Sequence, residues 1–505
     1  MSNKLLSSAL KELHKLQQSS NIFKSSDFSG KNLTYLKKAG YIKPIIRGWY
    51  YQSHPLDMDG DSTSWYAGYW EFISKYLDDR FGNDYTLNPE NSLLLHTKHS
   101  TIPKQIVAIT QKGALGRVKL LEENSIFIYP EKKAFPKDIV IVNGLNVYTL
   151  EEALCKVGKS FFSQNKEEIE IAFSMIKDVS GLLNVLLTRD RMDDATDRIC
   201  GALNFFKREQ EAWRIKETYE SATFKNVSLV NPFKKEALRL NLSRDKNPYA
   251  LRLRSMWQRY KDEILKLDIS AKKIDKPLSL DEIVMDMKQT YQSDAYHSLS
   301  IEGYKVSLEL IDKVSSGEWN PEKNSYDESM KNALAAKGYY QAYEAVKKSV
   351  IESIKNKIEI SQVLAEEHHK WYRELFAPSV QAGILQPHHL AGYRNHQVYI
   401  KGSMHVPFPK EAIVDAMEVY FELLADEKEP IVKAILGHHL FGFIHPYMDG
   451  NGRMARFIMN AILTSHNYPW LVIKVEDRDR YMTALEKASA SGDIKPFAEF
   501  ILEGV

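Results

Sequence analysis

Twelve consecutive residues, His445-Pro446-Tyr447-Met448-Asp449-Gly450-Asn451-Gly452-Arg453-Met454-Ala455-Arg456, hold a base, a carboxylate, two glycines and two arginines. That set suits a reaction at a nucleotide phosphate. Gly450 and Gly452 let backbone N–H groups turn toward an anion with no Cβ in the way. Asp449 can hold a divalent cation, which prefers oxygen ligands and bridges phosphate oxygens. Arg453 and Arg456 lie three apart, so on a helix they share a face and can grip phosphate oxygens as planar forks. His445 is the one residue of the twelve suited to take a proton near neutral pH.

The flanking sequence must position these groups. An apolar helical stretch, Ile431 to Ile444, runs in, and a second, Arg453 to Thr464, runs out. The twelve residues are therefore a loop that opens a helix N-terminus. The helix adds unpaired N–H donors and the positive end of its dipole.

The stretch resembles the signature of the Fic (AMP-transferring) family, in which a His, an aromatic, an acid, Gly-Asn-Gly-Arg and a second Arg recur at this spacing. The family usually has Phe where Tyr447 stands; Tyr keeps the ring, and its hydroxyl needs a partner if buried. His438 and Phe441 match the family's lead-in. Gly392-Tyr393-Arg394, then Val398-Tyr399-Ile400-Lys401-Gly402 and Val406-Pro407-Phe408-Pro409, look like the family's flap. The flap is a β-hairpin that registers a target segment as an added strand. Alternation through Val398 and Ile400, a turn at Gly402 and a return through Val406 fit a hairpin on their own terms. Tyr481, Leu485, Gly492-Asp493 and Pro496-Phe497 fit the family's closing helices.

A second motif, Ser298-Leu299-Ser300-Ile301-Glu302-Gly303, resembles the family's inhibitory pattern. A Glu302 carboxylate aimed at Arg456 forms a fork-to-fork ion pair. Arg456 is then withheld from the γ-phosphate, and bound ATP is misaligned for attack. Lying N-terminal to the core in the same chain, the motif places the sequence with the self-inhibited class.

The resemblance covers about residues 280 to 505 and implies AMP transfer from ATP to a Tyr, Thr or Ser hydroxyl of a target protein, or of the chain itself. It implies His445 as general base and Asp449 holding Mg²⁺. Gly450, Asn451 and Gly452 would line an anion nest, with Arg453 and Arg456 on the β- and γ-phosphates. Kinase-like members that bind nucleotide reversed lack the Gly-Asn-Gly-Arg form, so Gly452 argues against them. Removal of AMP, with Glu302 orienting water, stays open. So does a nucleotide-sensing DNA-binding regulator of toxin–antitoxin type, although sensing needs no base and His445 is intact. A homodimer is compatible with either reading.

The other end of the chain carries charge. Residues 1–50 hold nine Lys or Arg against Glu12 and Asp27, a net of +7 in a chain whose total is +2. Leu5, Leu6, Ala9, Leu10, Leu13 and Leu16 repeat at helical spacing. Ser25-Ser26-Asp27 reads as a helix cap, and Leu33 to Ala39 as a second helix stopped at Gly40. Tyr41 to Tyr51 then reads as an apolar hairpin with basic residues near its turn. Helices followed by such a hairpin look like a winged helix-turn-helix, and Arg47-Gly48-Trp49-Tyr50 is similar to the start of AbiEi-type antitoxins. Lys31, Lys37, Lys38, Lys43 and Arg47 would meet the phosphates of double-stranded DNA.

Between these ends, Gln105–Ile109, Ser125–Tyr129, Asp138–Val142 and Leu145–Tyr148 read as strands, the last two joined by an Asn143-Gly144 turn. Glu151–Phe162 and Glu167–Leu187 read as helices. His96 and His99 have no sequence neighbour that completes a metal set. At 505 residues the chain suggests about three domains. Two cysteines, Cys155 and Cys200, exclude a disulfide scaffold and point to a reducing compartment, the cytoplasm. No uninterrupted apolar run suits a membrane span or a signal peptide, so no membrane partner is expected.

The expected architecture is multidomain and mainly α. It comprises a winged helix at 1–55, an α+β AbiEi-like region at 56–200, a helical connector at 201–279, and an all-α Fic fold with a small hairpin flap at 280–505.

Overall fold

A computed structural model describes residues 2–55, 62–111, 113, 116–132, 135–233, 247–269, 277–319 and 327–505. Parts of the expected connector, at 234–246 and 270–276, lie outside the described residues. The chain divides into two compact units, Met1–Leu251 with Tyr399–Val406, and Arg252–Val398 with Pro407–Val505. The boundary between Leu251 and Arg252 falls within the connector, and of the segment expected as the flap Tyr399–Val406 belongs to the first unit.

The first unit opens with α1 (Ser2–Gln17), β1 (Ile22–Lys24), α2 (Asn32–Lys38), β2 (Ile42–Ile46) and β3 (Trp49–Gln52). The expected pair of helices and hairpin are present. β1 adds to the hairpin as a third antiparallel strand, giving the order β1-β3-β2. Ser25–Asp27 is a single 3-10 turn ahead of α2. Ala9, Leu13, Phe23, Leu36 and Ile42 bury together and fix α1 and α2 against the strands.

Next come α3 (Thr63–Phe81), β4 (Tyr85–Leu87), α4 (Pro89–His96), β5 (Gln105–Thr110), β6 (Gly116–Lys119), β7 (Ser125–Pro130), β8 (Ile139–Val142) and β9 (Leu145–Tyr148). Strands β4-β5-β7-β6 form one sheet, with β5 and β7 parallel. β8 and β9 pair as the hairpin expected from Asn143-Gly144, both turn residues having positive φ as a two-residue turn of the primed kind requires. α3 lays Trp65, Tyr69, Phe72 and Tyr76 into the core shared with Trp49, Ile106 and Ile126. Each such aromatic buries a large apolar area, and this packing dominates the unit's cohesion.

The two helices read from residues 151–187 are four: α5 (Leu150–Lys156), α6 (Lys159–Gln164), α7 (Lys166–Met175) and α8 (Ser180–Thr188). The backbone turns extended at Val157 and again at Ile176. Apolar periodicity runs on through both breaks, because both pieces bury into one cluster. α9 (Asp193–Phe205) and α10 (Glu209–Thr223) close it. His96 and His99 have structural partners: His96 meets the Tyr148 carbonyl at 2.7 Å, and His99 pairs with Glu168 at 2.7 Å. α11 (Pro248–Ile264) spans the boundary.

The second unit is helical, with α12 (Leu280–Ile301), α13 (Leu308–Ser315), α14 (Asp327–Asn356), α15 (Ile360–Gln381), α16 (Ile413–Asp426), α17 (Pro430–Ile444), α18 (Asn451–Ser465), α19 (Arg478–Glu486) and α20 (Lys495–Gly504). α12 starts on a capping box in which Ser279 and Glu282 satisfy each other's amides. α17 is buried nearly all round, which marks it as the central helix. α18 is buried along its length beside it. The loop between these two helices is thus suspended from the most rigid part of the unit. Among the described residues no single helix is long and apolar enough to cross a membrane.

Candidate active site

His445 ends α17 in the left-handed conformation, φ 56°, ψ 59°. Its amide still closes the helix on the Phe441 carbonyl at 2.9 Å. Its Nδ1 lies 3.2 Å from the Gly442 carbonyl. A carbonyl only accepts, so Nδ1 carries the proton and Nε2 keeps a free lone pair. Burial, with the nearby Arg394 guanidinium, pulls the imidazole down to about 4, against the opposing pull of Glu302 and Asp449. His445 is therefore neutral at pH 7 and ready to accept a proton.

The loop is held by side chains that turn inward. Asn451 spends its amide on Tyr447, accepting from the Tyr447 N–H at 2.9 Å and donating to the Tyr447 carbonyl at 2.8 Å. The Tyr447 ring stacks on Tyr372 with centroids 3.7 Å apart, and its hydroxyl meets His369 Nδ1 at 2.9 Å. This is the partner that Tyr in place of Phe requires. Tyr447→Phe is expected to leave transfer intact and cost about 1 kcal/mol, the worth of one hydrogen bond, read as a shift in denaturant midpoint.

Arg394 is buried and ties the loop from the other side. Its guanidinium donates to the carbonyls of His445 (2.8 Å), His396 (2.9 Å) and Phe408, and its amide donates to the Pro446 carbonyl at 2.9 Å. Arg394→Ala would strip three carbonyls of a charged donor at once. A stability loss of about 2–5 kcal/mol follows, measurable by denaturant unfolding, with transfer falling alongside it.

Gly450 caps α18 at φ 77° with no side-chain cap, so the first-turn amides at Asn451, Gly452 and Arg453 lack a helical partner. A Cβ at Gly450 would also stand 2.8 Å from the Phe376 ring. These amides and the helix dipole make an anion site. Arg453 is 1 % exposed, yet its guanidinium lies between the rings of Tyr304 (5.3 Å) and Phe376 (5.0 Å). Two ring faces hold the fork in place without using its donors. Asp449 accepts the Gly450 N–H at 2.6 Å and lies 3.5 Å from Arg453.

No cluster of three or more His, Cys, Asp or Glu able to hold a metal occurs among the described residues. The Asp449 side chain is 65 % exposed and stands at the anion site. One such carboxylate, with phosphates and water filling the remaining positions, is how Mg²⁺ is commonly held, so the donor set fits that ion.

Glu302 caps the C-terminus of α12 and reaches Arg456 at 2.8 Å. The expected fork-to-fork pair is instead a three-point hold. Arg456 Nε donates to Ser298 Oγ at 2.9 Å, and Nη2 is shared between the Ser298 carbonyl at 3.2 Å and Glu302. The geometry follows from the helix: Ser298 and Glu302 are one turn apart and present one face. Gly303, at φ 86°, ends the helix there. Burial alone would raise the Glu302 carboxyl, but Arg456 and then Arg453 outweigh it and hold the group below the usual range. Burial alone would lower the Arg456 guanidinium, and Glu302 outweighs that and raises it. The Glu302 carboxylate also needs Gly452: a Cβ there would lie 2.4 Å from its Oε1.

The structure thus brings together His445, Asp449, Gly450, Asn451, Gly452, Arg453, Arg456, Ser298 and Glu302, with Gly303 ending α12. Tyr304, His369 and Arg394 belong to the same site and carried no assigned role in the sequence reading. Tyr304 follows Gly303 directly, and that adjacency was the available signal. Of the expected flap residues, Val398 belongs to the second unit and Ile400, Gly402 and Val406 to the first. Gly402 sits in a turn closed from Ser403 to the Ile400 carbonyl at 3.1 Å, but the two legs do not form a strand pair. At the other end of the chain, Lys31, Lys37, Lys38 and Arg47 are exposed and Lys43 is half-buried. Lys37 lies over the Tyr50 ring at 5.3 Å.

Residues 360–463 match the family model described as Fic/DOC family. The protein adenylyltransferase Fic of Nematostella vectensis is 32 % identical over 221 residues, 43 % of this chain and 47 % of that protein. That of Aedes aegypti is 30 % identical over 223 residues, 43 % of this chain and 40 % of that one. The chain thus spans less than half the length of these relatives. Among solved structures, Fic-1 (residues 134–508) of C. elegans aligns with 70 % of this chain and 88 % of its own, at 18 % identity and a TM-score of 0.37. A Fic domain containing signaling protein of Bacteroides thetaiotaomicron aligns with 51 % and 92 %, at 18 % identity and a TM-score of 0.35.

Proposed function

We propose that this chain, which carries a Fic domain at residues 360–463, transfers AMP from ATP to a hydroxyl side chain of a protein. The hydroxyl oxygen attacks the α-phosphorus, the bond from that phosphorus to the α–β bridging oxygen breaks, and pyrophosphate leaves. The hydroxyl proton passes to His445 Nε2. The observation that carries this reading is the placement of His445: with Nδ1 3.2 Å from the Gly442 carbonyl, the opposite nitrogen keeps its lone pair for the incoming proton. The amides of Gly450, Asn451 and Gly452, with Arg453, grip the phosphates. Asp449 would hold Mg²⁺, which when bound neutralises charge on the phosphates. Positioning and charge neutralisation carry most of such a rate. The test is incubation of the protein with α-labelled ATP and cell lysate, followed by mass spectrometry of labelled bands.

Self-inhibition deepens the same reading. Arg456 would be the ligand of the γ-phosphate, and its Nε and Nη2 donate to Ser298 and Glu302. The chain in this state would bind nucleotide without aligning it.

The basic end favours a second activity, binding of double-stranded DNA. Its support is the exposure of Lys31, Lys37, Lys38 and Arg47 on a helix and a hairpin turn within a segment of net charge +7. The intact chain should bind duplex DNA with affinity that falls steeply as salt rises. Replacing Lys37, Lys38 and Arg47 with Ala should weaken binding and flatten that dependence by about one unit of slope per lost phosphate contact. A chain that ignores DNA at low salt would overturn this activity and leave the transferase reading untouched.

A further inference from the structure

The segment expected to dock targets is already paired. Its second leg runs antiparallel to residues 100–102, with Thr101 opposite His405. The Val406 N–H donates to the Ser100 carbonyl at 2.8 Å, and the Ile102 N–H donates to the Met404 carbonyl at 3.3 Å. Tyr399 Oη donates to the Ala67 carbonyl of α3 at 3.3 Å, and Tyr399 and Val406 pack against the aromatic cluster around Trp49, Trp65 and Tyr69. His405 is 1 % exposed. Turn, bridge and packing are together enough to make residues 399–406 part of the first compact unit.

An edge that recruits an extended peptide must offer free main-chain donors and acceptors. Here the Val406 donor and the Met404 acceptor are both taken by the chain's own residues. Each side of the pair has one buried anchor, Ile102 on one and His405 on the other, while Ser100, Thr101, Met404 and Val406 are partly buried.

We infer that Ser100–Ile102 is a built-in occupant of the main-chain edge that an extended target segment would take, so that a target docks by exchanging one strand for another. The inference rests on the transferase reading. The incoming ligand is an extended polypeptide that lies antiparallel to residues 404–406 and supplies a carbonyl and an N–H two residues apart. The bonds it makes replace those it breaks, so selection falls to the side chains flanking them. Only the fraction of molecules with the edge open can dock a target, and the observed rate scales with that fraction.

A disulfide tests this. Directly opposed antiparallel residues have Cα separations of about 4.5–5.5 Å, within the range a disulfide spans. Cys155 and Cys200 are both buried, and burial pushes the Cys200 thiol up to about 12, so neither competes for the crosslink. Thr101→Cys/His405→Cys is made in the full chain carrying Glu302→Gly, and labelling of lysate proteins by α-labelled ATP is compared before and after reduction. The expected result is complete crosslinking, with labelling lowered at least about tenfold in proportion to the lost open fraction and restored by dithiothreitol. A reduced chain that stays inactive would put the fault in the His405 substitution, and the neighbouring pair Ser100→Cys/Val406→Cys is then read the same way. Undiminished labelling by a crosslinked chain overturns the inference, as does failure of both pairs to crosslink. If Glu302→Gly without the cysteines labels nothing, the transferase reading falls and takes the inference with it. That outcome differs from a parent and a crosslinked chain that label equally.

Discussion

Alanine at position 445 is expected to lower AMP transfer about 10²–10⁴-fold, the usual contribution of a positioned general base, while leaving ATP affinity within a few-fold of the parent. In the proposed reading the phosphate contacts would come from the first turn of α18 and from Arg453, not from the imidazole. Single-turnover labelling gives the rate and nucleotide titration gives the affinity; a variant that labels at the parent rate would remove His445 from the mechanism. The pH dependence makes the same point from another side. The base must be neutral, and burial holds His445 at about 4. Transfer should therefore stay level from pH 7 down to about 5 and fall only as the pH approaches 4. A midpoint near 6.5, where a free imidazole titrates, would mean the ring is not held as described.

Glu302→Gly should raise transfer. One charge-assisted hydrogen bond is worth about 1.5–3 kcal/mol, so freeing Arg456 from Glu302 corresponds to roughly a 10–100-fold gain in the fraction able to grip the γ-phosphate. Arg456→Ala should not be activated, because the phosphate ligand is lost with the inhibitory partner. Equal labelling by the parent and Glu302→Gly across a range of ATP would dispose of self-inhibition by this helix. Ser298→Ala should show an intermediate effect, since it removes one of the three points that hold Arg456.

The site was legible in the sequence where its information is contiguous. His445 to Arg456 is one loop and one helix turn, so residue type and spacing suffice to put an Asp, an anion nest and two arginines together. Glu302 lies far away in sequence but was recognisable because Ser298 to Gly303 resembles the family's inhibitory pattern and stands ahead of the loop in the same chain. What stayed hidden depends on contacts between distant segments. The hold of Arg394 on three carbonyls, the hydrogen bond from Tyr447 to His369 and the stacking of Arg453 between Tyr304 and Phe376 leave no local pattern. The breaks at Val157 and Ile176 were invisible because both sides of each break bury the same apolar stripe. The turn at Gly402 was readable. Its pairing with Thr101 was not, since a lone bridge between residues some three hundred positions apart has no periodicity of its own.

The close approach of Glu302 to Gly452 would make the proposed brake unequal in its exposure to mutation. At position 302 almost any replacement would release it and leave the catalytic loop whole. At position 452 a Cβ would push the Glu302 carboxylate aside too, but it would also stand beside the first-turn amides of α18 that are proposed to hold the phosphates. Under the proposed self-inhibition, random drift would release transfer through α12 more readily than through the loop after α17. Selection for silence would then act on Ser298, Glu302 and Gly303, while selection for catalysis alone would keep Gly452 as it is.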